Sequence, residues 1–271
     1  DFHHALHTLL TGETAGYYAD FGRMEDLAAA LKNVFVYAGR ESAYRGRAHG
    51  KAVCGLSAHR FIACMQNHDQ VGNRAKGDRI GALAGIARQK IGAALLLCGP
   101  SIPMLFQGEE FGAATPFEYF TNHSDLELGA AVSKGRREEF ASFGWKPEDV
   151  PDPQDSATFD ASRLNWSEPG EPSHGDLLNW YRSLIALRRT TPALNSGDLD
   201  AVHVDFSESG RWLVLYRGEI AIACNFSKTS RGLALRFPAR ALLTSGPNID
   251  VTDSKLQLAP ESVAIFQEIR S

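Results

Sequence analysis

A chain of 271 residues is long enough to bury a large core, and length alone allows one large domain or a domain with a small companion. Apolar residues make up 44% and charged residues 22%, the balance of an ordinary globular protein. A net charge of -4 supplies no basic stripe, which argues against nucleic acid as a partner and suits an uncharged substrate. The longest apolar run, Ile91 to Cys98, is far too short to cross a bilayer, so no membrane partner is expected.

In chain order, residues 3 to 10 read as a short helix stopped by Thr11-Gly12, and Met24 to Tyr37 carries apolar residues at helical spacing. Gly39 to Gly50 is basic and Gly-rich, which predicts a loop. Phe61 to Met65 is a short apolar run of the kind found in buried parallel strands. The clearest element follows: Ile80, Leu83, Ala84, Ala87, Ile91, Ala94, Leu95 and Cys98 repeat every three or four residues, with Asp78 as a candidate N-cap and Gly99-Pro100 as the stop. Ile102 to Phe106 reads as another buried strand. Strand, helix, strand in this order is the βαβ pattern of a parallel sheet or barrel.

Glu127 to Phe140 reads as a charged amphipathic helix inside a loop-rich insertion around 113–170, and Asp176 to Arg189 as a further helix with Trp180 and Tyr181 in its core face. Beyond Pro192 come short strands, Val202–Phe206, Trp212–Tyr216, Ile220–Asn225, Leu233–Phe237 and Val263–Phe266, separated by Gly, Ser and Asn. The expected organisation is therefore an α/β domain over 1–191 and an all-β domain over 192–271. A (β/α)8 barrel takes about 250 residues. Here only about 190 precede the β domain, enough for about three barrel strands. Either the fold is a different α/β type or most of a barrel lies upstream of Asp1.

Cys54, Cys64, Cys98 and Cys224 show no CxxC or Cys/His metal spacing, and a reducing, cytoplasmic setting is expected. The start, Asp1-Phe2-His3-His4, has no Met, basic region or signal-peptide core, and it reads as a chain cut from something longer.

Functional residues of α/β barrels sit where strands end and loops begin. Phe61–Met65 runs directly into Gln66-Asn67-His68-Asp69-Gln70. An Asp beside a His can hold sugar hydroxyls, and its charge can stabilise a developing oxocarbenium ion. Spacing alone leaves a solvated loop with a helix cap equally open.

Phe61 to Asp69 resembles the last signature region of the α-amylase family (glycoside hydrolase family 13), a strand ending in Asn-His-Asp. Asn67 to Arg74 is similar to the version in malto-oligosyltrehalose trehalohydrolases. So are Asp1 to His7 with Thr11-Gly12-Glu13, Gly16 to Phe21, Pro103 to Glu110, Pro116 to Thr121, Gly135 to Phe140 and Val150 to Gln154. Together these cover most of residues 1–190 in order.

The resemblance implies the C-terminal part of a (β/α)8 barrel followed by a small antiparallel β-sandwich. It also implies a retaining hydrolase that releases trehalose by cutting the α-1,4 bond next to the terminal trehalose of maltooligosyl-trehalose. Asp69 would be the transition-state stabiliser and His68 a sugar ligand, with Asn67, Gln70, Phe2, His3 and His4 lining the substrate side. The nucleophile and general acid would lie upstream, so the chain is expected to need the upstream remainder of the barrel and to be inactive alone. No cofactor is implied. Other α-amylase-family enzymes, of branching or debranching type, and a noncatalytic glucan-binding fragment are the alternatives.

Several residues have two readings. His3 and His7 have the i, i+4 spacing of a metal pair, but no further ligand accompanies them and no metal is expected. Arg74 either orients a carboxylate or lies on the surface. Glu109 either touches substrate or binds an arginine or backbone N–H groups. Phe117, Tyr119 and Phe120 either stack on sugar or fill the insertion core. The β domain either binds glucan or packs on the barrel.

Overall fold

The computed structural model describes residues 1–141, 145–246, 249 and 251–269. Expectations for the insertion at 142–144 and for the β domain at 247, 248, 250, 270 and 271 lie outside them. In chain order the elements are α1 (Phe2–Thr11), α2 (Met24–Asn33), β1 (Ala38–Ser42), β2 (Arg47–Gly50), β3 (Ile62–Cys64), α3 (His68–Gly72), α4 (Ile80–Cys98) and β4 (Ile102–Met104). Then come α5 (Leu126–Ala141), α6 (Ser156–Ala161) and α7 (Pro172–Thr190). The remainder is β5 (Val202–Ser207), β6 (Trp212–Arg217), β7 (Ile220–Asn225), β8 (Arg231–Ala234), β9 (Ala239–Thr244), β10 (Val251–Thr252), β11 (Lys255–Leu258) and β12 (Ser262–Glu268).

These residues form two compact units. One comprises Asp1–Met65, Ala84–Met104 and Leu177–Ser271; the other comprises Gln66–Leu83 and Leu105–Asp176.

In the first unit β3 and β4 pair in parallel, Ile62 opposite Ile102 and Cys64 opposite Met104. This parallel sheet has two strands, where about three were expected. The run Ile91–Cys98 of α4 is buried throughout, as its apolar spacing requires, and each Leu or Ile so buried contributes about 1.5–3 kcal/mol. Gly85 interrupts α4 with φ 76° and ψ 167°, a backbone conformation that side chains resist. By length and composition α4 could span a membrane. Its uninterrupted part, residues 86–98, reaches only about 20 Å at 1.5 Å per residue, short of the roughly 30 Å of hydrocarbon. It is a core helix.

Two local expectations change. The helix from Met24 stops at Asn33 and not at Tyr37, because Val34 takes φ 69°, outside helical geometry. Gly39–Gly50, expected as a loop, contains the antiparallel hairpin β1–β2. Polar strands hid it, and its support comes from elsewhere: the Asp20 carboxylate accepts from the Ser42 hydroxyl, from Tyr37 Oη at 2.7 Å and from the Tyr44 N–H at 3.1 Å.

The C-terminal strands form a five-stranded antiparallel sheet, β5-β6-β7-β12-β9, and a three-stranded one, β10-β11-β8. Val214, Tyr216, Ala223 and Phe266 of the first meet Leu233, Leu256 and Leu258 of the second, a sandwich core. Across the expected boundary at 191 the sandwich and the helices before it pack on one another. Helix α2 packs on β5 and β6. Arg217, 1% exposed, donates to the carbonyls of Cys98 and Ala193, both at 3.1 Å. Arg188 of α7 donates to those of Leu97 at 2.6 Å, Gly99 at 2.8 Å and Ser101 at 3.1 Å. Burying the Arg217 guanidinium, and half-burying that of Arg188, is tolerable because carbonyls fill donor positions. Trp180 and Tyr181 are buried as expected, and Trp180 Nε1 donates to the Lys90 carbonyl at 3.0 Å.

The second unit contains α3, α5 and α6. Ala75, Phe140 and Val150 make a small apolar cluster. Around it polar ties do much of the work: Ser133 Oγ donates to Asp152 Oδ1 at 2.5 Å, Arg137 to Asp152 at 2.9 Å, and Thr121 Oγ1 to Gln154 at 2.5 Å.

Candidate active site

Because β3 and β4 run parallel, the chain leaves both strands from the same end. The exit of β3 is the segment from Gln66 to Gln70, and the exit of β4 leads to Gln107 and Glu109.

Gln66 is 3% exposed, and its Oε1 accepts the Ile80 N–H at 3.1 Å. It ties the strand exit to the first turn of α4. That helix begins at Ile80, too late for Asp78 to be its N-cap. Asn67 caps α3: its Oδ1 accepts the Asp69 N–H at 2.7 Å and the Gln70 N–H at 3.4 Å. Gln70 Oε1 returns a bond to the Asn67 N–H at 3.1 Å, completing a capping box. Both open readings of this segment thus coexist. Asn67 and Gln70 build the cap, and the cap projects His68 and Asp69 outward.

His68 and Asp69 have side chains 72% and 69% exposed, with His68 Nε2 3.3 Å from Asp69 Oδ1. A carboxylate so exposed, beside an imidazole that can donate to it, is free to accept hydroxyl groups of a ligand. Arg74 follows; its Nε lies 3.6 Å from the Asp78 carboxylate, and the side chain is 23% exposed.

Two residues that sequence reasoning missed hold the chain here, Arg136 after β3 and Arg79 after β4. Arg136 of α5, 8% exposed, donates Nη2 to the Gly72 carbonyl and, at 3.2 Å, to the Arg74 carbonyl. Its guanidinium also lies over the rings of Tyr119 at 5.1 Å and Phe140 at 4.5 Å. Arg79, 3% exposed, donates Nε to the Thr115 carbonyl at 2.6 Å and Nη1 to the Gln107 carbonyl at 2.7 Å. Burial pushes its pKa down, and the nearby Glu109 carboxylate opposes that. Glu109 itself is 1% exposed. So little exposure, with the Arg79 charge acting on it, fits the structural reading of Glu109. The only sequence signal for Arg136 was its place in the Gly135–Phe140 motif. Nothing local marked Arg79.

Phe2, His3 and His4 stand in the first turn of α1, in the other unit. Phe2 is buried, and His3 is held at both ring nitrogens: Nδ1 is 2.6 Å from the Met65 carbonyl and Nε2 3.0 Å from Tyr18 Oη. The carbonyl can only accept, which assigns the proton to Nδ1 and leaves Nε2 to accept from Tyr18. Burial, then the neighbouring His7, lowers the His3 pKa to about 3. His4 stacks on Phe21 with ring centroids 5.1 Å apart, and burial lowers its pKa to about 4. His7 Nε2 is 2.7 Å from Glu13. Among the described residues no group of three or more His, Cys, Asp or Glu is arranged to hold a metal.

Comparison with known proteins agrees with this layout. Residues 197–265 match the family model described as domain of unknown function DUF3459. A Salmonella typhimurium crystal structure, provisionally assigned as an alpha amylase, superposes with a TM-score of 0.85 at 36% identity, over 98% of this chain and 46% of that one. The trehalulose synthase MutB of Pseudomonas mesoacidophila MX-45 gives 0.51 at 19% identity, over 76% of this chain and 42% of its own, a likeness of fold alone. The fold is thus the C-terminal part of an α-amylase-type (β/α)8 barrel followed by an antiparallel β-sandwich.

The sequence comparison is narrower. The malto-oligosyltrehalose trehalohydrolase of Rhizobium sp. M-11 is 42% identical over 99% of this chain, and that of Saccharolobus solfataricus is 37% identical over 95%. This chain spans only 45% and 43% of their lengths. It corresponds to the C-terminal part of the malto-oligosyltrehalose trehalohydrolases, glycoside hydrolases of the α-amylase family.

Proposed function

We propose that this chain supplies the transition-state-stabilising part of a trehalose-releasing glycoside hydrolase. The enzyme would cut the α-1,4 bond next to the terminal trehalose of maltooligosyl-trehalose with retention. The observation that carries the reading is the exposed His68–Asp69 pair, set on a capped turn at the exit of a parallel strand. The carboxylate of Asp69 accepts ring hydroxyls and stabilises positive charge as the anomeric carbon flattens toward an oxocarbenium ion. His68 donates to the sugar at the cleavage point. His3 donates to the carbonyl of Met65, the residue that precedes Gln66 in the chain. The nucleophile and the general acid come from the part of the relatives that this chain does not match.

A second feature supports that dependence. Parallel sheets are normally covered on both faces, yet Ile62, Ile102 and Met104 on the β3–β4 pair are 68%, 45% and 38% exposed. A cleft of about 320 Å³ adjoins β3, with Phe2, Phe61 and Ile62 beside Asp1 and Arg60 in its lining. Further barrel strands would cover this surface. Buried Cys98 and Cys224 thiols, both free, fit a reducing, cytoplasmic setting.

The test is a chimera that joins the unmatched N-terminal part of the Rhizobium relative to Asp1. Trehalose release from maltotriosyl-trehalose is expected, falling by at least about a hundredfold in Asp69→Asn. The 271-residue chain alone is expected to release none. Release that is indifferent to Asp69, or turnover by the chain alone, overturns the proposal.

A further inference from the structure

The second unit contains an open cleft of about 420 Å³ whose lining includes neither the residues of the capped turn nor Arg79 or Arg136. Its lining includes Gln107, Phe117, Phe120, Phe159, Arg163 and Trp166. The volume lies within the range of small-molecule sites, about 300–1,000 Å³. Two of the aromatics are held out to solvent: Trp166 is 74% and Phe159 49% exposed. Leaving so much aromatic surface in water is costly, and these side chains are not loosely placed. Phe106, Phe117, Phe120 and Phe159 form a continuous edge-to-face series, with ring centroids 5.1, 5.7 and 5.2 Å apart.

The walls are braced by hydrogen bonds. Ser162 Oγ accepts the Glu118 N–H at 3.0 Å and donates to the Thr158 carbonyl at 2.9 Å. Beyond Trp166, Glu168 accepts the Ala114 N–H at 3.2 Å. The charge of Arg163 is met by Asp160 at 3.6 Å, so the lining is close to neutral. Neutral aromatic walls with an exposed amide, that of Gln107, and a guanidinium at the rim suit one chemical class. A pyranose has an apolar C–H face for stacking and a rim of hydroxyls for those polar groups. An anion would find no net positive charge, and an apolar peptide would make no use of the Gln107 amide.

We propose that this cleft is a saccharide subsite that stacks a glucose residue of an α-1,4-linked substrate on Trp166 and Phe159, with Gln107 and Arg163 bonding its hydroxyls. The assignment rests on the reading of the chain as part of an α-glucan hydrolase. Gln107 follows β4 as Asp69 follows β3, so both positions belong to loops that leave the same end of the strand pair. The ligand held at the cleft would be the part of the oligosaccharide away from the bond being cut, and binding there would position the chain without touching the reacting atoms.

Titration of the 271-residue chain with maltotriosyl-trehalose, maltotriose and cellotriose, followed by calorimetry, tests this directly, because every wall of the cleft belongs to this chain. Saturable binding of the two α-linked sugars is expected, weakened about tenfold by Trp166→Ala and restored to within about threefold by Trp166→Phe. Trp166 is exposed, so an unchanged urea midpoint should confirm that the variant folds. Binding that is unaffected in both Trp166→Ala and Phe159→Ala overturns the subsite, as does a folded chain that binds no saccharide. Equal affinity for β-linked cellotriose also overturns it. None of these outcomes touches the hydrolase reading, which stands or falls on Asp69-dependent trehalose release by the chimera; conversely, glucan binding at Trp166 without any such release keeps the subsite and removes the hydrolase.

Discussion

Arg136 donates to the carbonyl of Gly72, the last residue of the helix that carries Asp69. Helix α3 has only 5 residues, too few to persist on its own helical hydrogen bonds. Its N-terminus is closed by Asn67 and its C-terminus by a guanidinium from a helix some sixty positions later in the chain, where a cation also complements the helix dipole. Replacing Arg136 by Met keeps the aliphatic stem and removes the donors. A loss of about 2 kcal/mol in urea unfolding is expected, with Arg136→Lys recovering only part, since one ammonium cannot match the planar fork. An unchanged midpoint in Arg136→Met would show that the helix end needs no such support.

Arg79 and Glu109 form a second, more deeply buried dependence. Both are almost wholly shielded from water, and Arg79 also holds two carbonyls of the loop after β4. Arg79→Met is expected to destabilise by about 3 kcal/mol, largely because it removes a cation whose charge the buried Glu109 carboxylate senses. Adding Glu109→Gln should return at least a third of that loss. A double-mutant cycle with no coupling would mean the two charges do not sense one another.

The pH response of His3 has a definite sign. Its folded-state pKa of about 3 lies below the ordinary 6.5. As pH falls through 6.5 the unfolded chain takes up a proton that the folded chain refuses, so stability drops between pH 6.5 and about 3 and is full above 6.5. His3→Gln, whose amide can still donate to the Met65 carbonyl, is expected to remove up to about 1.4 kcal/mol per pH unit from the slope over that interval. Unfolding curves at pH 7, 6, 5 and 4 suffice; parallel slopes in the two proteins would place the acid sensitivity elsewhere.

Gly77 turns the chain between α3 and α4 with φ 59°. A Cβ there would lie 2.4 Å from the backbone carbon of Phe117, whose N–H donates to the Gly77 carbonyl at 2.9 Å. Backbone cannot move aside as a side chain can. Gly77→Ala is therefore expected to cost about 3 kcal/mol, or to leave the second unit without its native packing, as seen by near-ultraviolet dichroism.

Thiol reactivity separates three of the four cysteines. Cys54 is exposed, whereas Cys98 and Cys224 are buried, and burial pushes the Cys98 thiol up to about 12. Ellman's reagent should label Cys54 rapidly in the native chain and reach Cys98 and Cys224 only after unfolding. Fast labelling of Cys224 at neutral pH would mean the sandwich opens on the time scale of the assay.

Periodic elements were readable in the sequence because their information is local. Ile80 to Cys98 announced a core helix, and the short runs around Ile62 and Ile102 announced parallel strands. Features set by partners distant in the chain were not readable. The polar β1–β2 hairpin depends on Asp20, the start of α4 on Gln66, and the Asp69 helix on Arg136. The candidate segment was legible in its residue types but not in its division of labour. Asn67 and Gln70 look like ligands in sequence, yet in the fold they bond to each other's backbone and thereby present His68 and Asp69. The merger of helices and sandwich was hidden for a similar reason, since Arg217 and Arg188 look like surface residues until the carbonyls they meet are known.

The β3–β4 pair also has a consequence for how this chain behaves in a test tube or a cell. Among the described residues each of these strands has a neighbour on one side only, so each presents a row of backbone donors and acceptors along its other edge, flanked by Ile62 and Met104. Open, apolar edges recruit strands from whatever lies nearby, including another copy. Produced by itself, the chain should associate more as its concentration rises, and yields should improve whenever a segment able to complete the sheet is made alongside it.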